Sequence, residues 1–308
     1  FAGGNLRSLV ARVICYAHDA IEWDAFRIAL AFKQRPQQIM TMIFLERPEM
    51  PSMDRLKERF GDLLNVGEIL PPDGSAQVVP CDGSLLITGL VDAPLPQDHW
   101  KSWVDQAWWW PEAADVMQDN QAHLIVSSSW DHSNRLDAHV KQTLVVRELV
   151  DQLPAIAVSW GSVLVSADQF AGEFQRFQSE QVLPVRLWVM IQMSGDGEGG
   201  TIVSTLGMDA FGLMEIEANS APMEPQDALQ FVNNLAGYLI SNGPVIKDGD
   251  TVGGSETERI KVRFAPSFRE NIGEVYLLDF ERATGPEPVK QGSQFAQKLF
   301  GKTFRRLN

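Results

Sequence analysis

Two stretches of this chain, residues 37–130 and 154–282, pass through nearly the same order of short apolar runs and amphipathic segments. That order limits the fold more than any single motif does. Strand-like runs separated by helix-like ones must pair at a distance and be covered by helices.

In the first stretch, "IMTMIFLE" (39–46) has the density of a buried strand. Pro51 and Ser52 open a segment in which Met53, Leu56, Phe60, Leu63 and Leu64 recur at helical spacing. "AQVVPC" and "SLLITGLV" are strand-like and meet at Asp82-Gly83, a hairpin signal. "PLPQDHWKSWVDQAWWWPEAADVM" reads as helix interrupted at Pro111, and "QAHLIVSSS" (121–129) as a strand. The sequence strand, helix, strand, strand, helix, strand is that of a ferredoxin-like split βαβ unit. Ser133 is an expected N-cap for a connecting helix within 131–153.

The second stretch repeats the scheme. "PAIAVSW" (154–160) is an expected strand, and Ser166 to Gln178 a helix with Phe170, Phe174 and Phe177 on one side. "LPVRLWVMIQM" and "GTIVSTLGM" are expected strands around the loop "SGDGEGG", followed by strand "FGLMEIEA" (211–218). A long helix runs from Pro225 to a stop at Gly243, and "VYLLDF" (275–280) closes the unit. The expected fold is therefore α+β: two tandem ferredoxin-like units of βαββαβ order, 37–130 and 154–282, packed into one body. An N-terminal helical segment (1–36), a connecting helix (131–153) and a basic amphipathic tail (283–308) complete it.

Charge narrows the function. The formal net charge is −14, which argues against nucleic acid as a partner because phosphate binding needs a basic surface. The tail is the exception, with Lys290, Lys298, Lys302, Arg305 and Arg306 against one acid, Glu287. Its Phe295, Leu299 and Phe304 alternate with Lys298, Lys302 and Arg305, as in a short basic amphipathic helix. Such a segment docks into a partner's acidic groove, rests on a membrane surface, or packs on its own acidic domain. No apolar run reaches the length of a transmembrane segment. The two cysteines, Cys15 and Cys81, suit a reducing, cytoplasmic setting. Phe1 in place of methionine fits a trimmed start, and the opening segment lacks the h-region of a signal peptide.

Several stretches invite a chemical reading. "GPVIKDGDTVGG" (243–254) sets Asp248, Asp250 and Thr251 among glycines. No lysine follows in a P-loop pattern, and Val252 and Gly253 break an EF-hand pattern. A turn shaped by Gly and Asp is the expectation, with Gly253-Gly254-Ser255 able to offer backbone N–H groups to an anion. Glu215 and Glu217 sit two apart in an expected strand, on one face and about 6.6 Å apart between Cα atoms. That spacing suits acid/base work or a shared cation; the plainer alternative is a solvated strand face. His132 and His139 lie about 10.5 Å apart along a helix, too far to share a metal. His123, inside a strand, reads as a hydrogen-bonded core residue and His139 as a surface or partly buried one. Trp108, Trp109 and Trp110 cannot all face inward on a helix, so at least one is expected at an interface or under a loop. Neither a nucleophile motif nor a cofactor fingerprint is present.

The chain also resembles an uncharacterised bacterial family, domain of unknown function 4261. The resemblance is carried by "AHLIVS" (122–127), "AVSWGSVLVSADQF" (157–170, with Trp160 and Gly161), "LPVRLWV" (183–189), "TLGMDAFGLMEIE" (205–217) and "NGPVIKDGDTVGG" (242–254). It implies a bacterial cytosolic protein in which the 243–254 loop matters as a required turn or a recognition edge, and it carries no catalytic assignment. The functional expectation is a non-catalytic adaptor with a protein partner, basic in character, of the immunity or secretion-associated type. Its binding residues would be Trp160, Gly161, Glu215, Glu217, Asp248, Asp250, Thr251, Phe295, Leu299, Phe304 and Arg305. The alternative is an enzyme with an acidic, metal-dependent site on Glu215, Glu217, Asp248 and Asp250, with His123 as a further member.

Overall fold

The computed structural model describes residues 38–69, 75–81, 84–129, 134–253 and 259–280. The N-terminal segment, the tail with Phe295, Leu299, Phe304 and Arg305, the Asp82-Gly83 turn, His132, Ser133, Gly254 and Ser255 lie outside these. The chain divides into two compact units, with the boundary at residues 161–168.

The first unit holds a six-stranded sheet of order β2-β3-β4-β1-β5-β6. Its strands are β1 (Ile39–Leu45), β2 (Ala76–Cys81), β3 (Ser84–Val91), β4 (Ala122–Ser128), β5 (Ala155–Trp160) and β6 (Val163–Ser166). Side chains alternate between the faces of β1. Phe44 enters an apolar cluster with Trp100, Trp103, Trp110, Met117 and Leu164. Helix α1 spans Met53–Leu64; α2 (Gln97–Gln106) carries Trp100 and Trp103, α3 (Ala113–Gln118) carries Met117, and Trp110 lies between α2 and α3. Truncating Phe44 to alanine should cost about 3–5 kcal/mol, the usual penalty for emptying a core aromatic site.

Thr41, on the opposite face of β1, meets helix α4 (Arg135–Gln152). There the Gln142 amide donates to Thr41 Oγ1 at 3.2 Å and to the Val126 carbonyl at 3.4 Å. Helix α4 starts at Asn134, whose side chain accepts from the Asp137 N–H at 3.1 Å, one residue after the expected cap. Glu148 of α4 is buried and accepts from Arg59 of α1 at 2.8 Å, which fixes the two helices together.

The expected ferredoxin-like topology does not emerge in this unit. A split βαβ needs parallel strands on either side of its first helix. Here β1 pairs antiparallel with both β4 and β5, and β2 lies at the far edge beyond β3 and β4. Strand β5, expected to open the second unit, belongs to this sheet. Element order was right, but pairing is set by which apolar faces meet, and order does not encode that.

The second unit contains α5 (Ala167–Glu180), α6 (Val185–Trp188), β7 (Met190–Gly195), β8 (Thr201–Leu206), β9 (Ile216–Ala221), α7 (Pro225–Asn242), β10 (Thr251–Val252), β11 (Ile260–Pro266) and β12 (Glu274–Asp279). Phe170, Phe174 and Phe177 are all buried, as their spacing on α5 predicts. Its sheet has the order β10-β11-β12-β9-β8-β7. Two three-stranded meanders meet where β9 and β12 pair in parallel. A parallel neighbour needs a crossover, and α7, which packs against β7, β8 and β9, supplies it.

Two local expectations shift. The start of "LPVRLWVMIQM" forms the one-turn helix α6 before β7, because a continuous apolar run suits a buried helix as well as a strand. In "FGLMEIEA" the strand begins only at Ile216, after a 3-10 turn over Met208–Phe211.

Candidate functional site

The two glutamates in question lie at the entrance to β9, and both are buried, so the solvated-face reading does not hold. Gly207 bends the chain ahead of the 3-10 turn with φ of 121°, and a Cβ there would stand 2.9 Å from the Trp188 carbonyl. Only glycine fits. The bend turns the N–H groups of Gly207 and Met208 toward Glu215, whose Oε1 accepts both, at 2.8 and 3.0 Å. Thr205 donates its hydroxyl to Glu215 Oε2 at 2.7 Å and accepts the Ile216 N–H at 2.8 Å. Glu215 thus caps the start of the 3-10 turn. Burial pushes its carboxyl above the ordinary value of 4.5, the Thr205 hydroxyl and Gly207 N–H pull it back, Asp209 adds to the rise and Arg269 opposes it.

Glu217 has a different partner set. Its Oε1 accepts from Ser267 Oγ at 2.6 Å and from Arg269 Nε at 2.9 Å, and its Oε2 from the Phe268 N–H at 3.2 Å. Arg269 also donates to the Thr205 carbonyl at 2.7 Å. One carboxylate therefore holds the turn before β9, and the other holds the β11–β12 connection.

The Gly243–Val252 segment is a turn laid along β11. Gly243 ends α7 with φ of 78°, and its N–H reaches the Leu239 carbonyl at 2.7 Å. Asp250 Oδ2 accepts the Lys247 N–H, and Asp248 Oδ1 the Phe264 N–H, both at 2.8 Å. The N–H of Gly249 donates to the Val262 carbonyl, and the Val262 N–H to the Asp250 carbonyl, again at 2.8 Å. Thr251 then pairs with Lys261 in the short edge strand β10. Both aspartates shape backbone, as short acidic side chains do in turns.

These acids do not converge. Asp248 is anchored at Phe264 on β11, whereas Glu215 reaches Thr205 on β8. Phe264 pairs with Tyr276, Tyr276 with Ile216, and Ile216 meets Thr205. Three strand spacings separate the two anchors, about 14 Å. Among the described residues no group of three or more His, Cys, Asp or Glu side chains could hold a metal ion.

The other expected residues lie in the first unit or at its edge. Trp160 is buried and its ring stacks on His139 at 5.9 Å. His139 is itself buried, not at the surface, with Nδ1 2.8 Å from the Arg135 carbonyl. Gly161, φ 57°, follows β5 in a left-handed conformation. His123 is a hydrogen-bonded core residue as expected, with Nδ1 3.1 Å from the Ala93 carbonyl, and burial holds its pKa below 6.5. Of the three adjacent indoles, Trp110 is buried, Trp109 donates to the Leu164 carbonyl at 3.1 Å, and Trp108 is 46% exposed.

A cleft of about 260 Å³ lies beside the 243–252 turn, lined by Met214, Pro244, Ile246, Lys247, Phe264 and Tyr276 among others. Sequence reasoning missed Thr205, Ser267, Arg269 and Tyr276. An acid within an apolar strand does signal a buried partner, but the chain does not say which base it meets.

Residues 204–278 match the family described as Domain of unknown function (DUF4261), in agreement with the resemblance carried by the 205–217 and 242–254 motifs. That span contains both glutamates, Arg269, the turn and the whole cleft lining. No curated protein and no solved structure matches the chain. Among the described residues, no helix is long and apolar enough to cross a membrane.

Proposed function

We propose that this chain is a non-catalytic binding protein, a bacterial adaptor of the immunity or secretion-associated type, which recognises a basic protein partner through the loops of its second unit. One observation carries the reading. Glu215, Glu217, Asp248 and Asp250 each accept hydrogen bonds that hold a loop in place. Loops fixed in this way lose little entropy on binding. They also present apolar side chains: Val245 is 46% and Phe268 51% exposed. The net charge of −14 would steer a basic partner toward them.

The test is capture from bacterial lysate at low salt by the wild type and by a Val245→Asp, Phe268→Asp variant of matched thermal stability. The reading expects one protein retained in stoichiometric amount, released by salt, and lost from the variant. A wild type that retains no such protein overturns the adaptor reading, and equal retention by the variant overturns the choice of surface.

The raised pKa of Glu215 is the observation that leans toward an acidic, metal-dependent enzyme, since perturbed carboxyls gather at active sites. Burial accounts for it without a reaction. A rise in melting temperature with a divalent ion, abolished by Glu215→Gln, would reverse the preference.

A further inference from the structure

We propose that the cleft beside the Gly243–Val252 turn is a binding site for a small organic carboxylate with an apolar body.

The cleft sets a phenol and a lysine against apolar walls. Tyr276 is 1% exposed and lines it, yet its hydroxyl has no hydrogen-bond partner among the described residues. It is not among the buried groups left without a partner, so its oxygen reaches solvent and can exchange water for a ligand acceptor. Burial also raises its pKa, so the group remains a donor at neutral pH. Lys247 is exposed and lines the same cleft, and its ammonium makes no ion pair with a described residue. The nearest acids in sequence, Asp248 and Asp250, accept from the backbone of Phe264 and of Lys247 itself.

The walls are Met214, Pro244, Ile246 and Phe264, with the Phe264 ring edge-on to Tyr276 at 5.5 Å and 76°. Apolar walls with a few convergent polar groups are the mark of a small-molecule site. A carboxylate is the acceptor that suits a phenol and an ammonium together, because charge-assisted bonds are the stronger kind. The volume of about 260 Å³ sets the size. At roughly 30 Å³ per water-sized group it takes about nine such groups, the scale of hexanoate or phenylacetate.

Hexanoate and its neutral isostere hexanamide are the probes, titrated against the full chain by saturation-transfer NMR. The expected result is hexanoate binding with the amide about tenfold weaker, the gain from one charge-assisted bond. Lys247→Gln should erase the preference for the acid. Tyr276→Phe, which keeps the ring and its packing, should weaken both ligands about three- to tenfold. Ile246→Trp should remove binding by filling the cleft. If it fails to fold, the lysine and tyrosine variants decide. No transfer to the wild type overturns the proposal, as does equal affinity for acid and amide, or unchanged binding in Tyr276→Phe. None of these outcomes depends on a protein partner, so the adaptor reading can fail while this one stands.

Discussion

Each unit contains a glutamate that is 1% exposed and paired with arginine, and the two glutamates hold different things. Glu148 of the first unit joins helix to helix: Arg59 donates at 2.8 Å, Arg55 stands 3.7 Å away, and the Gln152 amide donates at 2.8 Å. Glu217 of the second joins a strand to a connection, through Arg269, Ser267 and the Phe268 N–H. Arg59 is 42% exposed, whereas Arg269 is 18% exposed. The same chemistry braces a scaffold in one place and a loop in the other. The cost of losing it depends on how much water the orphaned arginine can reach.

That contrast can be broken by experiment. The largest effect is expected from Glu217→Ala, which strands a mostly buried guanidinium and should cost about 3–5 kcal/mol. A urea midpoint shift at unchanged slope would measure it. Pairing Glu217→Leu with Arg269→Met should recover much of the loss, since a well-packed apolar pair often replaces a buried ion pair at little cost. A double variant as unstable as the single one would place the effect in packing and not in charge.

Glu215→Ala comes next. It leaves two backbone N–H groups and the Thr205 hydroxyl without their acceptor, at about 1–3 kcal/mol for a buried unsatisfied group. Glu148→Ala should cost less, about 1–2 kcal/mol, because Arg59 keeps Asp151 at 2.7 Å and can reach solvent. If Glu148→Ala proves the costlier of the two glutamate–arginine losses, accessibility of the partner is not what ranks them.

Acid should act on the two units with opposite sign. His123 has a lowered folded pKa, so its contribution in the first unit is present above 6.5 and is lost as pH falls through the folded value. Glu215 has a raised one, so its contribution in the second unit is full below 4.5 and is lost as pH rises through the folded value. Stability curves of His123→Gln and Glu215→Gln against the wild type should each lose one of these slopes. The smallest effect is expected from Asp248→Ala. It should speed hydrogen exchange at the Phe264 N–H while changing global stability by about 0.5–1 kcal/mol.

The sequence was most legible where a signal is local. Helix α7 starts with Pro225 and stops at Gly243, and both marks act within one turn of the chain. The Gly–Asp turn was readable for the same reason, because Asp250 bonds the Lys247 N–H three residues back. Strand β11 alternates apolar and basic residues in "IKVRFAP", a period-2 pattern, but the ferredoxin-like order has no place for it. Trp160, named from its motif as a binding residue, is buried against His139, and that neighbour comes from α4, which the motif does not contain.

By itself the sequence determined the mixed α+β composition, most helix positions, the resemblance within 204–278 and the turn that follows α7. The tertiary structure decided the strand neighbours, the separation of Glu215 from Asp248, and the meeting of Glu217 with Arg269 across 52 residues. Capping, turn geometry and helical periodicity are short-range and written within a few residues. Partner choice for a buried charge is fixed only when distant segments exclude water together, and no local pattern carries that information.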